Sequence, residues 1–436
     1  MGKYTITFFL DKIILFLVFF FPVIIVLRSA AINIATTVAS FIVLFYIFKK
    51  SRFEFLKNKL VIYIIIFFSF VFINSIINFF SIDLLLKSLG NFRYLFLSIA
   101  VLIVLERISE QQKNFFIYFN IFVIFLIALD ILYQFIFYKD IFGFMPSMCN
   151  DSLPINCTRF SGVFGDELIA GSYLSQIGFL ILILFFNLKL NKSHFSFLIK
   201  SFLSIFLLII IILTGDRTPL LIVTISLFFI FFFKKKLFNF LFFSVFLLTF
   251  IFFSAQKIES INQRFIKLFN NWGSADTEFS IKNFEEKLIN SPWSFHYKAA
   301  IELFLEKPIF GHGPKSFRIK CANTNIDKLT KDKSVNYRDY TACSTHPHNY
   351  LLEFLSEYGI FGGVFFAGFI FIVFTNIHKS CRNDKDKNVS AFIGIGSLIL
   401  AIILPLKPTG SFFTTFNASM LFYVFGFFLY YLKKVK

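Results

Sequence analysis

The sequence predicts an all-α, polytopic integral membrane protein of about twelve transmembrane helices, with one large polar loop between the late helices. Of its 436 residues, 57% are hydrophobic and the mean hydropathy is +0.76, whereas soluble domains are closer to half apolar. The apolar residues gather in runs of about 20, the length that crosses roughly 30 Å of hydrocarbon. One sizeable polar insertion, segment 255–348, interrupts these runs.

The apolar runs define the individual spans. In chain order, we expect them at 11–27, 29–48, 60–80, 84–104, 115–138, 166–187, 197–214, 217–233, 237–254, 349–376, 390–406 and 411–432. No small-residue cleavage site follows the first run, which predicts a retained helix rather than a removed signal peptide. The chain therefore divides into nine spans in 1–254, the large loop in 255–348 and three spans in 349–436.

The basic residues predict the orientation, because short cytoplasmic loops are enriched in Lys and Arg. They concentrate in alternate loops and at the C-terminal end: 49–59, 189–200, 234–236, 379–387 and 433–436. We therefore expect both termini to be cytoplasmic and segments 139–165 and 255–348 to face the periplasm of a bacterial inner membrane. The net charge of +18 follows largely from this asymmetry, so nucleic acid is not an expected partner, whereas membrane lipids are.

Four of the five cysteines lie in the two long outward loops. An oxidising compartment permits disulfides there, and the sequence predicts the pairs Cys149–Cys157 and Cys321–Cys343. The alternative is a set of unrelated thiols. No C-x-x-C spacing occurs, so a zinc site is not expected.

A histidine at the start of an apolar helix is the first candidate for chemistry. His348 follows His346 and Pro347 and precedes the run that opens at Asn349. Its ordinary pKa is near neutrality, and a helix N-terminus favours the neutral imidazole that a general base requires. For His346 we expect an ordinary loop side chain.

Cations on the same face are the second candidate set. Arg217 follows a short turn, Arg159 precedes a helix, and Arg264 and Lys298 lie in the large loop. Each has a simpler interpretation as a snorkelling, packing or headgroup-facing cation. Together they suit the diphosphate of a lipid-linked substrate. The nearest outward acids, 166–167, are a single pair, so we expect neither a metal nor another cofactor.

The histidine segment resembles a known family signature. His348-Asn349, nine residues, then Gly359-x-x-Gly362 is similar to the His-(Asn/Ser/Gln)-x9-Gly-x-x-Gly pattern of bacterial O-antigen ligases and the related O-antigen polymerases. The segment 159–162 resembles the Arg-x-x-Gly of that family, and 214–218 its small-residue turn ending in Arg. The turn 308–313, which contains Gly311 and Gly313, resembles its Pro-x-x-Gly-x-Gly turn. The resemblance extends over about 155–375.

The resemblance implies a metal-independent, inverting glycosyltransferase on the periplasmic face, which moves a glycan from undecaprenyl diphosphate to a hydroxyl. A ligase uses a lipid A–core sugar as acceptor, and a polymerase uses a second lipid-linked repeat. By position, His348 would be the base, Arg217 and Arg159 diphosphate ligands, and Arg264 or Lys298 the large-loop cation. Other classes remain open as alternatives: a transporter or lipid-glycan flippase, which typically carries ionisable residues at mid-membrane and repeated halves, or a structural membrane scaffold.

Overall fold

The computed structural model describes residues 2–49, 58–79, 81–149, 157–188, 194–267, 292–321, 344–381, 387–405 and 407–435. The helices in these ranges are α1 Gly2–Phe19, α2 Phe21–Val26, α3 Arg28–Phe48, α4 Lys59–Ile77, α5 Ile82–Gly90, α6 Phe92–Arg107, α7 Glu110–Phe137, α8 Ala170–Phe186, α9 His194–Leu213, α10 Arg217–Phe233, α11 Leu237–Lys257, α12 Pro292–Glu306, α13 Tyr350–Ser380, α14 Lys387–Ile403 and α15 Thr415–Val435. Short helical turns lie at Gly162–Phe164, Glu259–Ile261, Asn262–Ile266 and Phe317–Lys320.

The predicted fold class is confirmed: the described residues form a helical, multi-pass membrane protein. Eight of the helices are long and apolar enough to cross a membrane, taking α5 and α6 together as one. The other predicted spans fall on shorter or interrupted apolar helices. Two predicted spans are each divided into two helices: the span 11–27 is interrupted at Phe20, ahead of Pro22, and the span 84–104 contains a turn at Asn91. A proline lacks the amide hydrogen that a continuous helix requires, which explains the first break.

The centre of the bundle is α15. In its most apolar stretch 78% of residues are buried, against 11% for α11 at the periphery. A glycine lets α15 approach α6 closely, because a Cβ at Gly426 would lie 2.8 Å from the Ser98 carbonyl oxygen. Small residues at such crossings are typical of membrane helices, whose association depends on close packing.

Hydrogen bonds and ion pairs connect segments that are distant in sequence and that we assign to the same side of the membrane. At the predicted cytoplasmic end, Lys234 Nζ donates to Ser390 Oγ at 2.8 Å, and Lys433 pairs with Glu106 at 2.7 Å. At the other end, Thr218 Oγ1 donates to the Pro408 carbonyl at 3.2 Å. The alternation of loops is therefore consistent with the helical packing.

The helix α13 is broken at Gly359, whose φ of 65° and ψ of −159° are not helical. The turn 308–313 fills the break and binds the backbone groups that the break leaves free. His312 and Gly313 donate their amides to the carbonyls of Ser356 and Glu357 at 3.1 and 2.8 Å. In return, the Ile360 amide donates to the Pro308 carbonyl at 2.7 Å. Helix α12 ends at Glu306, just before this turn.

The glycines of the two late motifs meet at this break. A Cβ at Gly359 would lie 2.3 Å from the Ile309 carbonyl oxygen, and a Cβ at Gly311 would lie 2.5 Å from the Glu357 carbonyl carbon. At Gly362 a Cβ would lie 2.6 Å from the Phe354 carbonyl oxygen. These positions therefore admit only a residue without a side chain, and the motif glycines allow close packing of the backbone at the break in α13.

Candidate functional site

His348 lies immediately before α13 in a left-handed conformation, with φ at 54°. Its carbonyl accepts from the Thr409 amide at 2.8 Å, and its Nδ1 faces the Thr409 carbonyl at 3.2 Å. Because a carbonyl only accepts, this partner assigns the proton of the neutral ring to Nδ1. The lone pair is therefore on Nε2, the atom available to take a proton from a substrate.

Two further imidazoles surround His348. The ring of His346 lies 4.1 Å away and that of His296, from α12, lies 5.3 Å away, between centroids. Burial and the neighbouring His296 lower the pKa of His348 below its ordinary value, although the bond to Thr409 opposes the shift. Burial, with the nearby His348, lowers the pKa of His346 to about 3. Both shifts favour the uncharged forms of His346 and His348 near neutral pH.

Asn349 is the N-cap residue of α13 and joins the helix to the neighbouring loop by a hydrogen bond. Its side-chain oxygen accepts from the Leu352 amide at 3.2 Å, which is the N-cap bond. Its side-chain amide donates to the Pro405 carbonyl at 2.7 Å. The motif asparagine thus fixes the helix start against the segment 404–411, which also binds His348.

Three arginines gather around the turn that precedes α10. Gly215 takes a φ of 72° in this turn, and its carbonyl accepts from Arg264 Nε at 2.7 Å. The Arg264 carbonyl in turn accepts from Arg217 Nε at 2.6 Å. Arg159 forms an ion pair with Asp216, which is 7% exposed. Residues far apart in sequence are therefore brought together in one cluster, which we call the arginine cluster: Arg159, Arg217 and Arg264.

A disulfide and a pair of backbone hydrogen bonds hold the segment that carries Arg159 against the segment before it. Cys149 and Cys157 form a disulfide, and Ser147 and Arg159 exchange backbone hydrogen bonds of 2.9 and 3.2 Å. Arg159 therefore lies two residues after a disulfide that covalently closes the preceding segment. In the large loop, Cys321 is disulfide-bonded, while its expected partner Cys343 lies outside the described residues.

The three guanidinium groups of the arginine cluster carry more charge than the carboxylate of Asp216, which pairs with Arg159. Burial and the charge of Arg264 lower the pKa of Arg159 to about 10, and burial lowers the pKa of Arg264. The Nε of Arg159 is buried and has no hydrogen-bond partner within the described residues. Crowded, half-buried guanidinium groups are stabilised by an anion, and their planar donors match phosphate oxygens.

One loop connects the arginine cluster to the histidines. Thr218, the residue after Arg217, donates to the carbonyl of Pro408. The next residue, Thr409, binds His348 through both its amide and its carbonyl. Two neighbouring residues, Pro408 and Thr409, therefore contact Thr218, which adjoins Arg217, and His348.

Two further basic side chains lie on α12 and in the turn that follows it. Lys298 is on α12, with its Nζ 5.4 Å from the centre of the Phe295 ring. His312 is buried and bonds the Leu303 carbonyl at 3.0 Å, which makes it part of the turn's packing. Sequence reasoning missed His296 and Thr409. No motif marks them: His296 is distant in sequence, and Thr409 acts through its backbone.

Comparisons with known proteins agree with the resemblance. Residues 202–367 match the family described as O-antigen ligase. A search of curated proteins finds no match to the chain. The matched segment contains Arg217, Arg264, His348 and both motif glycines of α13. The chain is therefore a multi-pass membrane protein whose segment 202–367 matches the O-antigen ligase family.

Proposed function

We propose that this protein is an inverting glycosyltransferase that transfers a glycan from undecaprenyl diphosphate to a sugar hydroxyl at the periplasmic face of the inner membrane. The preferred acceptor is a lipid A–core sugar, which makes the protein an O-antigen ligase. The observation that carries this proposal is the position of His348. The Thr409 bond leaves its Nε2 available, and the same loop binds Thr218, the residue after Arg217.

In this proposal His348 is the general base. The acceptor hydroxyl gives its proton to Nε2 while its oxygen attacks the anomeric carbon of the donor sugar. The bond from that carbon to the diphosphate oxygen breaks at the same time, and attack from the opposite face inverts the configuration. The lowered pKa of His348 supports this role because the ring is already neutral when the acceptor arrives.

The arginine cluster binds the donor diphosphate and stabilises it as a leaving group. Negative charge grows on the departing oxygens, and Arg217, Arg159 and Arg264 supply fixed positive charge to meet it. This assigns to guanidinium groups the charge compensation that a divalent cation provides in other transferases. Lys298, on α12, is the proposed further cation at the large-loop edge of the site.

Complementation tests the proposal directly. His348→Ala and Arg217→Ala are expressed in a strain that lacks its own O-antigen ligase, and lipopolysaccharide is separated on gels. We expect wild type to restore long-chain lipopolysaccharide and both variants to accumulate lipid-linked glycan. His378→Ala is the matched control, because this residue lies at the other end of α13, where its ring stacks on Phe374.

Other results of the complementation test would lead to a different function. If wild type instead lengthens single repeats in a polymerase-deficient strain, the acceptor is a second lipid-linked repeat and the protein is a polymerase. If both variants match wild type while blots show equal protein in the membrane, the catalytic assignment is wrong. A flippase would then be the class to test, by measuring translocation of the lipid-linked glycan in vesicles.

A further inference from the structure

A buried carboxylate lies one helical turn beyond Asn349. Glu353 is 3% exposed and sits on α13, in the stretch between the two halves of the histidine motif. Its two oxygens accept from different groups of the same loop: Ser411 donates its hydroxyl to Oε1, and the Phe412 amide donates to Oε2 at 2.9 Å. A bidentate acceptor of this kind fixes the loop in both position and rotation.

A lysine completes this network from a third element. Lys315 follows the turn 308–313, and its Nζ donates to Ser411 Oγ at 2.7 Å. An ammonium group only donates, so the hydroxyl of Ser411 must direct its own proton to Glu353. The hydrogen bonds therefore run in one direction, from Lys315 to Ser411 and from Ser411 to Glu353. The cation also compensates the carboxylate, which would otherwise be costly to bury.

The same loop holds His348. Two residues before Ser411, the carbonyl of Thr409 accepts from Nδ1 of His348 at 3.2 Å, and the amide of Thr409 binds the His348 carbonyl at 2.8 Å. A shift of Ser411 therefore moves the group that assigns the imidazole proton to Nδ1. Glu353 does not touch the imidazole itself in any bond that the structure gives, so its influence passes through the loop.

We propose that Glu353 is a positioning residue for His348: by binding Ser411 and Phe412 it holds the Thr409 carbonyl that orients the imidazole. This inference rests on the proposed role of His348 as the base. It explains why a charged side chain is kept buried at the site, where an apolar residue would pack without a desolvation cost. It also assigns a structural role to Lys315, which donates to Ser411 and fixes the orientation of its hydroxyl.

The test compares steady-state kinetics of purified variants in nanodiscs. The donor is the lipid-linked glycan extracted from the strain in which wild type restores transfer. We expect Glu353→Ala to lower kcat about 10- to 100-fold, since misplacing a catalytic group by about 1 Å has effects of that size. The KM for donor should stay within about threefold. Glu353→Gln keeps the acceptor for the Phe412 amide, and the Ser411 oxygen can accept from the glutamine NH2 group once the hydroxyl proton turns away, so its kcat should stay within about fivefold of wild type.

Two further variants separate positioning from folding. Ser411→Ala removes the link to Lys315 but leaves Glu353, and we expect it to lower kcat about 5- to 20-fold at unchanged KM. Ser356→Ala is the control, because that hydroxyl bonds only the Leu352 and Glu353 carbonyls of its own helix. Size-exclusion profiles report the folded fraction of each variant. If Glu353→Ala does not fold, the pair Ser411→Ala and Glu353→Gln decides.

The outcomes distinguish this inference from the function on which it rests. If Ser411→Ala keeps wild-type kcat, or if the folded Glu353→Ala variant does, the positioning role is wrong although His348 remains the base. A raised KM with unchanged kcat assigns Glu353 to substrate binding and also overturns the proposal. If His348→Ala transfers glycan at the wild-type rate, the base assignment itself fails, whatever the Glu353 variants do.

Discussion

Replacing Gly359 by alanine is expected to destabilise the protein by about 5 kcal/mol. The backbone there has a φ of 65° and a ψ of −159°, a region that is essentially restricted to glycine and costs other residues about 1–3 kcal/mol. The new Cβ would also lie 2.3 Å from the Ile309 carbonyl oxygen, so the turn 308–313 must move away.

Moving that turn breaks three backbone hydrogen bonds, the pairs 312–356, 313–357 and 360–308. Each contributes about 1 kcal/mol net, which together with about 2 kcal/mol of backbone strain gives the expected total. Gly363→Ala is the matched control on the same helix, because its Cβ would meet only the Leu355 side chain, 2.6 Å from Cδ2. That side chain can rotate, and alanine favours a helix by about 1 kcal/mol over glycine.

The measurement is the loss of monodisperse protein after heating in detergent, followed by size-exclusion chromatography. We expect Gly359→Ala to lower the midpoint by roughly 5–10 °C and Gly363→Ala to change it by less than about 2 °C. Equal midpoints for the two variants would refute the reasoning, because they would show that the turn and the break in α13 are not mechanically connected. A lower midpoint for Gly363→Ala alone would place the sensitive contact elsewhere on the helix.

Three other predictions concern the site. Arg217→Lys should lower kcat/KM about 10- to 100-fold, because an ammonium cannot reproduce the planar donors of a guanidinium; full activity in transfer assays would mean that a point charge suffices. Cys149→Ser should raise the donor KM severalfold at similar kcat, since a disulfide closing so short a loop contributes about 2.5 kcal/mol to its order. Dithiothreitol should raise the donor KM of wild type at least as much, and it should act on the variant only through the second disulfide, that of Cys321. The acid limb of kcat/KM should have its midpoint below pH 6.5, because protonation inactivates His348 and its pKa is lowered; a midpoint above pH 7 contradicts a buried base.

The fold could be predicted from the sequence because membrane spans have a strong local signal. Runs of apolar residues and the alternation of basic loops are read directly from the chain, and the contacts at each end of the bundle agree with that assignment. The breaks were predicted less well. The interruption at Phe20 and the turn at Asn91 depend on how neighbouring helices pack, and neither shortens the apolar run that a sequence window detects.

The candidate site was predictable only where a motif marks it. His348, Arg217 and Arg159 stood out because each sits beside a helix start with small residues around it. His346 was expected to be an ordinary loop residue, yet its ring lies 4.1 Å from His348. His296 approaches from α12 and Thr409 through its backbone, so neither contact leaves a pattern in the sequence. Long-range contacts of this kind depend on tertiary packing alone.

Within the family signature, the glycines determine the backbone path and the histidine supplies a functional group. The glycines at 359 and 362 allow the turn 308–313 and the end of α13 to pack closely, and they contribute no functional group. The proposed chemistry rests on residues that are far apart in the chain: an arginine after a disulfide loop, two arginines around a glycine turn, and an imidazole before a helix. What unites them is the segment 404–411, which contacts Thr218, His348 and Asn349 through backbone groups. Backbone contacts tolerate many side chains, so this segment can be central to the site while no residue type identifies it. Variants that alter its path, rather than its side chains, should therefore be the most damaging changes outside the recognised motifs.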